Sequence, residues 1–195
     1  ATTLFPKTDG STQVEISYRG KKLSVPVIVK DANTLRPVSF QRDVMPVLTA
    51  EGCNTGSCHG SARGQDGFML SLFGYDPKGD HFRLTKELPG RRINLAIPED
   101  SLLITKVSGK VPHTGGKILP PESAGYKTLL DWVKNGANYD KPDIPHPTSI
   151  EIQPTQTVTK GTSQPSRSTV RATYSDGTDR YVTSPSTFTT SNDHS

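Results

Sequence analysis

The sequence predicts a mixed fold in which a mainly α-helical, loop-rich middle segment lies between two β segments. Apolar residues alternate over residues 12–30, recur at helical spacing in the middle of the chain, and alternate again after residue 148. The chain of 195 residues is long enough for one large domain, or for one medium domain with additional pieces. Its 17 glycines, 16 prolines and 31% hydrophobic residues indicate a folded protein with many turns and a small core.

The first β segment is residues 1–32. It is predicted to be a β-hairpin with one buried face, because two alternating apolar rows flank a turn at residues 19–21. Pro26 lacks a backbone N–H, which predicts that the second strand is an edge strand. The alternating residues are Val14, Ile16 and Tyr18, followed by Leu23, Val25, Val27 and Val29.

The middle segment, residues 33–140, contains two predicted helices. In the first, Phe40, Val44 and Leu48 repeat every four residues after Ser39, a residue type that caps helices. Pro46 interrupts this pattern, so the first helix is predicted to be short and kinked, leading towards residue 53. The second helix is predicted over roughly 123–135, between a Ser123 cap and a Gly136 stop. Its apolar stripe consists of Tyr126, Leu129, Leu130 and Val133.

Residues 141–147 are predicted to be an extended linker, because their prolines disfavour a helix. Residues 148–195 form the second β segment, with a turn predicted at residues 175–178. Each β segment by itself is too short for a complete sandwich of about 100 residues. The alternating residues of the second segment are Ile150 and Ile152, then Val170, Ala172 and Tyr174, then Tyr181 and Val182.

The charge pattern and the lengths of the apolar stretches argue against some classes of function. The net charge of +4 comes from 23 basic and 19 acidic residues spread along the chain, which argues against nucleic-acid binding. No stretch approaches the roughly 20 apolar residues that cross a membrane. We expect both ends to lie inside structure, as in a segment of a longer protein. The pI near 9.1 favours contact with acidic partners.

Both cysteines lie within six residues, and Cys58 is followed directly by His59. Two thiols and an adjacent imidazole are the groups that attach haem c covalently and hold its iron, which predicts thioethers at Cys53 and Cys58 and a proximal His59. The usual spacer has two residues, whereas this chain has four, and their small size would let the loop bulge. Two alternatives use the same cysteines: a disulfide, or a zinc site that needs a further ligand.

A haem would supply apolar bulk that a loop-rich segment lacks. Arg91, Arg92 and Lys117 are candidates to neutralise its propionates, with a solvated arginine pair as the alternative. The candidate pocket residues, which suit an ordinary core equally well, are Phe68, Leu70, Leu72, Phe73, Leu102, Leu103 and Trp132.

Residues 38–139 resemble the cytochrome c domain of planctomycete-type multidomain proteins. The flanks resemble parts of group 2 bacterial Ig-like repeats, 1–32 the second half and 148–195 the first half. The resemblance implies a mainly α cytochrome c-like domain flanked by all-β Ig-like sandwich pieces, in a periplasmic or cell-surface protein. Its motifs lie at residues 38–46, 52–60, 66–77, 90–94, 98–103, 112–117 and 129–137.

The sixth iron ligand is predicted separately. In similar cytochromes a distal Met often precedes Pro-Pro, but Leu119 occupies that position here and cannot bind iron. His113, in a glycine-rich loop, is the preferred distal ligand, and Met69 is its rival. An open or water-occupied site is the third alternative. His81 is expected to be a solvated loop residue.

The leading functional prediction is electron transfer by one six-coordinate, bis-His haem c, with redox donor and acceptor proteins as partners. One alternative is a five-coordinate haem enzyme or small-ligand sensor, with His113 as a distal acid–base. Another is a structural module in which the Ig-like pieces make adhesive or spacer contacts. No hydrolase elbow, phosphate loop or HExxH motif is present, so an electron-carrier domain is favoured over an enzyme.

Overall fold

The computed structural model describes residues 4–34, 36–158 and 166–191. The chain divides into two compact units, Ala1–Pro37 and Val38–Ser195. The first unit holds one hairpin. The second holds all the described helices and a three-stranded sheet.

In the first unit, β1 (Gly10–Tyr18) and β2 (Lys21–Val29) form the predicted antiparallel hairpin. Arg19 and Gly20 both have positive φ, 47° and 76°, as a two-residue turn of type I′ requires. The predicted buried face is wrong, because Ile16 and its cross-strand partner Leu23 are 51% and 61% exposed. A two-stranded sheet has no second layer of its own to cover an apolar row.

Four short α-helices follow in the second unit: α1 (Met45–Ala50), α2 (Pro77–Thr85), α3 (Leu102–Val107) and α4 (Ala124–Lys134). A π-helical turn, Phe40–Val44, leads directly into α1 and forms the predicted kink. Single 3₁₀ turns lie at Leu72–Gly74 and Pro98–Asp100.

The predicted helix caps are confirmed at both helical segments. The Ser39 hydroxyl accepts a hydrogen bond from the Arg42 N–H, and the Ser123 hydroxyl accepts one from the Tyr126 N–H. Gly136, with φ of 93°, follows α4 as the predicted stop. The buried residues of α4 are Tyr126, Leu129, Trp132 and Val133.

The C-terminal segment forms an antiparallel sheet in the order β3 (Pro147–Gln153), β4 (Thr169–Tyr174) and β5 (Asp179–Tyr181). Two guanidinium groups lie over the Tyr174 ring of β4, that of Arg42 at 5.2 Å and that of Arg180 at 4.8 Å from its centre. Because Arg42 belongs to the π-helical turn, this turn contacts the sheet. Arg180 also forms an ion pair with Asp43 at 3.4 Å. The predicted second β segment therefore packs on the helical region.

The predicted fold class is wrong. The helices have only six to eleven residues each and stand beside two small antiparallel sheets, which makes an α/β mix and not a mainly α cytochrome c-like fold. A glycine with positive φ stands two residues after the end of α1, α3 and α4, at Gly52, Gly109 and Gly136. The two sheets have two and three strands within the described residues.

Candidate cofactor site

A cavity of about 280 Å³ lies in the second unit. Its walls come from α1, α2, α3 and the loop of residues 53–60, called the cysteine loop below. Residues 65–70, residues 91–92 and the segment that follows α3 complete them. Four predicted pocket residues line it: Phe68, Leu70, Leu102 and Leu103. The sequence analysis did not name the other apolar lining residues as pocket residues: Leu48, Leu84, Val107 and Ile118.

The cysteine loop folds back on itself, so that Cys53 and Cys58 both line this cavity. The Cys58 N–H donates to the Thr55 carbonyl at 3.0 Å, and the His59 N–H donates to the Cys53 carbonyl at 3.0 Å. A side chain at Gly60 would collide with the Asn54 carbonyl oxygen, so the return of the loop requires glycine there. The four-residue spacer thus forms a compact turn that presents both thiols to one space.

The two thiols are free and differ in environment. Burial raises the pKa of Cys53 to about 12, and the nearby Glu51 and Cys58 act in the same direction. Cys53 therefore remains a neutral thiol at physiological pH. Cys58 is partly exposed.

His59 is fixed in one tautomer by its surroundings. Its Nδ1 lies 3.0 Å from the Phe68 carbonyl oxygen, and because a carbonyl can only accept, Nδ1 carries the proton. The lone pair of the neutral ring is then on Nε2, the arrangement typical of a metal-binding histidine. Burial lowers the pKa of His59 and favours this neutral form, although the Phe68 carbonyl opposes the shift.

His113 repeats this arrangement on the segment after α3. Its Nδ1 lies 3.2 Å from the Gly116 carbonyl oxygen, which again leaves the lone pair on Nε2. The His59 and His113 ring planes are 10° apart, with centres separated by 6.3 Å. Metal–nitrogen bonds of about 2 Å on opposite sides of one ion would separate imidazole centres by roughly 6 Å. The separation of the two ring centres therefore matches that of two imidazoles on one ion.

The two predicted arginines both line the cavity but differ in their contacts. Arg92 is buried and donates to the carbonyl oxygens of Arg83 and Gly67, while it pairs with Glu87 at 3.1 Å. Its guanidinium also lies 4.5 Å from the Phe68 ring centre. Arg91 is exposed, which leaves it better suited than Arg92 to contact a charged group of a ligand.

Several other predicted residues lie away from the cavity. Trp132 is not among the lining residues and instead packs 5.2 Å from Phe40 in the core. Met69 is partly buried and does not line the cavity. Leu72 and Phe73 are 41% and 65% exposed, so neither belongs to a pocket wall.

Lys106 is a site residue that the sequence analysis missed. It lines the cavity from α3, and its ammonium group donates to the Pro112 carbonyl at 2.6 Å, next to His113. Lys106 lies four residues after Leu102, a predicted pocket residue, and therefore on the same helix face. This spacing could have identified Lys106 from the sequence.

No group of three or more His, Cys, Asp or Glu residues positioned to hold a metal occurs in the described part of the chain, which gives the zinc alternative no support.

Comparisons with protein-family models, curated proteins and solved structures found no match to this chain. None of the helices within the described ranges is long and apolar enough to cross a membrane.

Proposed function

We propose that this protein transfers electrons through one covalently bound haem c, with Cys53 and Cys58 as the thioether residues and His59 and His113 as the axial ligands. The observation that carries the proposal is the pair of near-parallel imidazoles, 6.3 Å apart, in the cavity that both cysteines line.

The donor set fits this cofactor. Cys53 and Cys58 are free thiols that line one cavity, which suits addition to two vinyl groups of a single macrocycle. Each imidazole has its Nδ1 held by a backbone carbonyl, which orients Nε2 and increases its basicity as a ligand. A bound haem supplies an iron that alternates between the ferric and ferrous states. Two imidazoles on that iron favour a low potential compared with His/Met ligation.

The surroundings of the cavity support the same proposal. The apolar side chains of Leu48, Leu70 and Val107 would bury the hydrophobic faces of a macrocycle. Arg91 is positioned at the cavity to neutralise a propionate, whereas the Arg92 guanidinium is already engaged by carbonyl groups and Glu87.

The proposed partners are redox donor and acceptor proteins, and the proposed location is periplasmic or at the cell surface. This part rests on the motif resemblance to planctomycete-type cytochromes, because c-type attachment takes place outside the cytoplasm. The basic pI near 9.1 would favour an acidic docking face on such a partner.

The test is production of the protein with haem c maturation machinery, followed by intact mass measurement and absorption spectra of both oxidation states. We expect one covalently added haem, a low-spin spectrum without a ferric Met–iron band, and a reversible one-electron potentiometric titration. Absence of haem from the mass would refute the proposal.

Two cysteine variants sharpen this test. Cys53→Ser and Cys58→Ser should each retain at most one thioether bond, and the double variant should lose its haem under denaturing conditions. Ser57→Ala, in the same loop, is the matched control and should keep both bonds. Full covalent attachment in the double variant would contradict the assigned roles.

A further inference from the structure

We propose that the turn of residues 112–117, which carries His113, covers the cavity and can move away from it. The space beneath this cover is then a binding site for a neutral diatomic ligand of ferrous haem. This inference rests on the proposed function, and it adds a ligand-binding activity to a resting state with two imidazoles.

The two imidazoles are attached to the protein very differently. His59 makes three contacts that hold it in place: its N–H donates to the Cys53 carbonyl, its carbonyl accepts from the Leu70 N–H at 2.8 Å, and its ring centre lies 4.7 Å from that of Phe68. Moving His59 would therefore disrupt the cysteine loop and the cavity wall together.

His113 is instead bonded mainly within its own turn. Its Nδ1 faces the Gly116 carbonyl, while the Gly116 N–H donates back to the His113 carbonyl at 2.8 Å. Gly116 has a φ of 74°, which allows this tight closure, and Thr114, Gly115 and Gly116 are all exposed. Both hydrogen bonds lie within the turn, so neither ties it to the rest of the fold.

One side chain ties this turn to the rest of the fold. Among the described residues, the only hydrogen bond leaving residues 112–117 joins the Lys106 ammonium to the Pro112 carbonyl. Backbone hydrogen bonds resume on either side, from Val111 to Thr105 and from Ile118 to Val107. These flanking bonds hold both ends of the turn, and residues 112–117 can move between them once the Lys106–Pro112 hydrogen bond breaks.

Two parts of the cavity lining bear on the class of ligand. The cations Arg91, Arg92 and Lys106 line the cavity, but Arg92 and Lys106 already donate to backbone carbonyls. The apolar side chains on α3 and the segment after it favour a small uncharged molecule; they are Leu102, Leu103, Val107 and Ile118. With a haem bound, such a molecule would replace the His113 imidazole on the iron, one bond breaking as the other forms, with no electron transferred.

Carbon monoxide is the probe for the experiment. The reduced, haem-loaded protein is mixed with increasing carbon monoxide in a stopped-flow instrument. We expect the observed rate to reach a plateau, because opening of the turn limits binding at high ligand concentration. Lys106→Met should raise that plateau roughly five- to tenfold, which corresponds to the net contribution of one typical hydrogen bond. Lys110→Met removes the same charge nearby, leaves the Lys106–Pro112 bond in place, and should keep the wild-type plateau.

A second variant and a second readout do not depend on Lys106 alone. Gly115→Ala would bring a methyl group to 3.0 Å from His113 Cε1, so it should displace the ring and also raise the plateau. Hydrogen exchange at the Gly116 amide should accelerate in Lys106→Met, while exchange at the Leu70 amide, which is bonded to His59, should not.

The outcomes separate the two proposals. A loaded protein that is high-spin before carbon monoxide is added would refute bis-His ligation and with it the proposed cover. A low-spin protein that binds no carbon monoxide, or whose plateau is the same in Lys106→Met and Gly115→Ala, would overturn the cover alone.

Discussion

Two histidine environments in the second unit differ in which ring nitrogen is engaged and in what surrounds the ring. His81, on α2, has its Nε2 2.8 Å from the Ala137 carbonyl, and its ring packs against Phe40, Trp132 and Tyr139 at 5.1, 6.0 and 5.2 Å. In the cavity, the engaged atom of both His59 and His113 is Nδ1, and the Nε2 lone pairs remain for a ligand.

The comparison shows that burial alone does not distinguish a ligating histidine from a structural one. Burial lowers the pKa of both His59 and His81. His81 also lines a cavity, so open volume does not separate the two residues. Only His59, of these two, lies beside a second imidazole with the same hydrogen-bonding pattern. The nitrogen left without a proton, and the second imidazole next to it, distinguish the two roles.

The largest expected effect is a complete change in the haem spectrum. His113→Ala should convert the loaded ferric protein from low-spin to high-spin or water-ligated iron while the haem stays attached. His81→Gln and Met69→Leu should both leave the spectrum low-spin, because neither residue lines the cavity. Absorption and magnetic resonance spectra measure this, and a high-spin Met69→Leu protein would transfer the sixth ligand to Met69.

The next effect is on stability, at the aromatic cluster around His81. Trp132 is 1% exposed and its indole N–H donates to the Asn138 carbonyl, so Trp132→Ala should lower the free energy of unfolding by about 3–5 kcal/mol. Tyr75→Ala is the matched control, because Tyr75 is 79% exposed, and its effect should stay within about 0.5 kcal/mol. Urea unfolding followed by circular dichroism compares them, and equal losses would place Trp132 outside the core.

A smaller effect is expected at the adjacent arginines beside the cavity. Arg92→Met removes two backbone hydrogen bonds of a buried guanidinium and should destabilise the protein by about 2 kcal/mol. Arg91→Met should change stability by less than about 0.5 kcal/mol. The same denaturation measurement distinguishes the two variants, and similar losses would show that Arg92 is not a structural residue.

The smallest effect is a dependence of stability on pH. Because burial lowers the pKa of folded His81 from its usual 6.5, the unfolded chain takes up the proton first as the pH falls below that value. His81 therefore stabilises the fold above about pH 6.5, and this contribution is lost on acidification. Unfolding measured between pH 8 and 5 should show a flatter slope in His81→Gln, and an unchanged slope would contradict a buried neutral His81.

The sequence predicted local elements well, because local physics specifies them. The hairpin turn, the caps at Ser39 and Ser123, and the stop at Gly136 depend on the preferences of a few neighbouring residues. The fold class was predicted wrongly, because the family resemblance implied a mainly α domain, whereas the short described helices stand beside two small antiparallel sheets.

For the site, the sequence by itself determined the residue types and spacing behind the haem proposal: Cys53, Cys58, His59 and His113. Only the tertiary structure decided which groups share one cavity, that Trp132 belongs to the core, and that His81 packs against aromatic rings. The reason is distance along the chain. His59 and His113 are far apart in sequence, and contacts between distant segments depend on packing that no local pattern encodes.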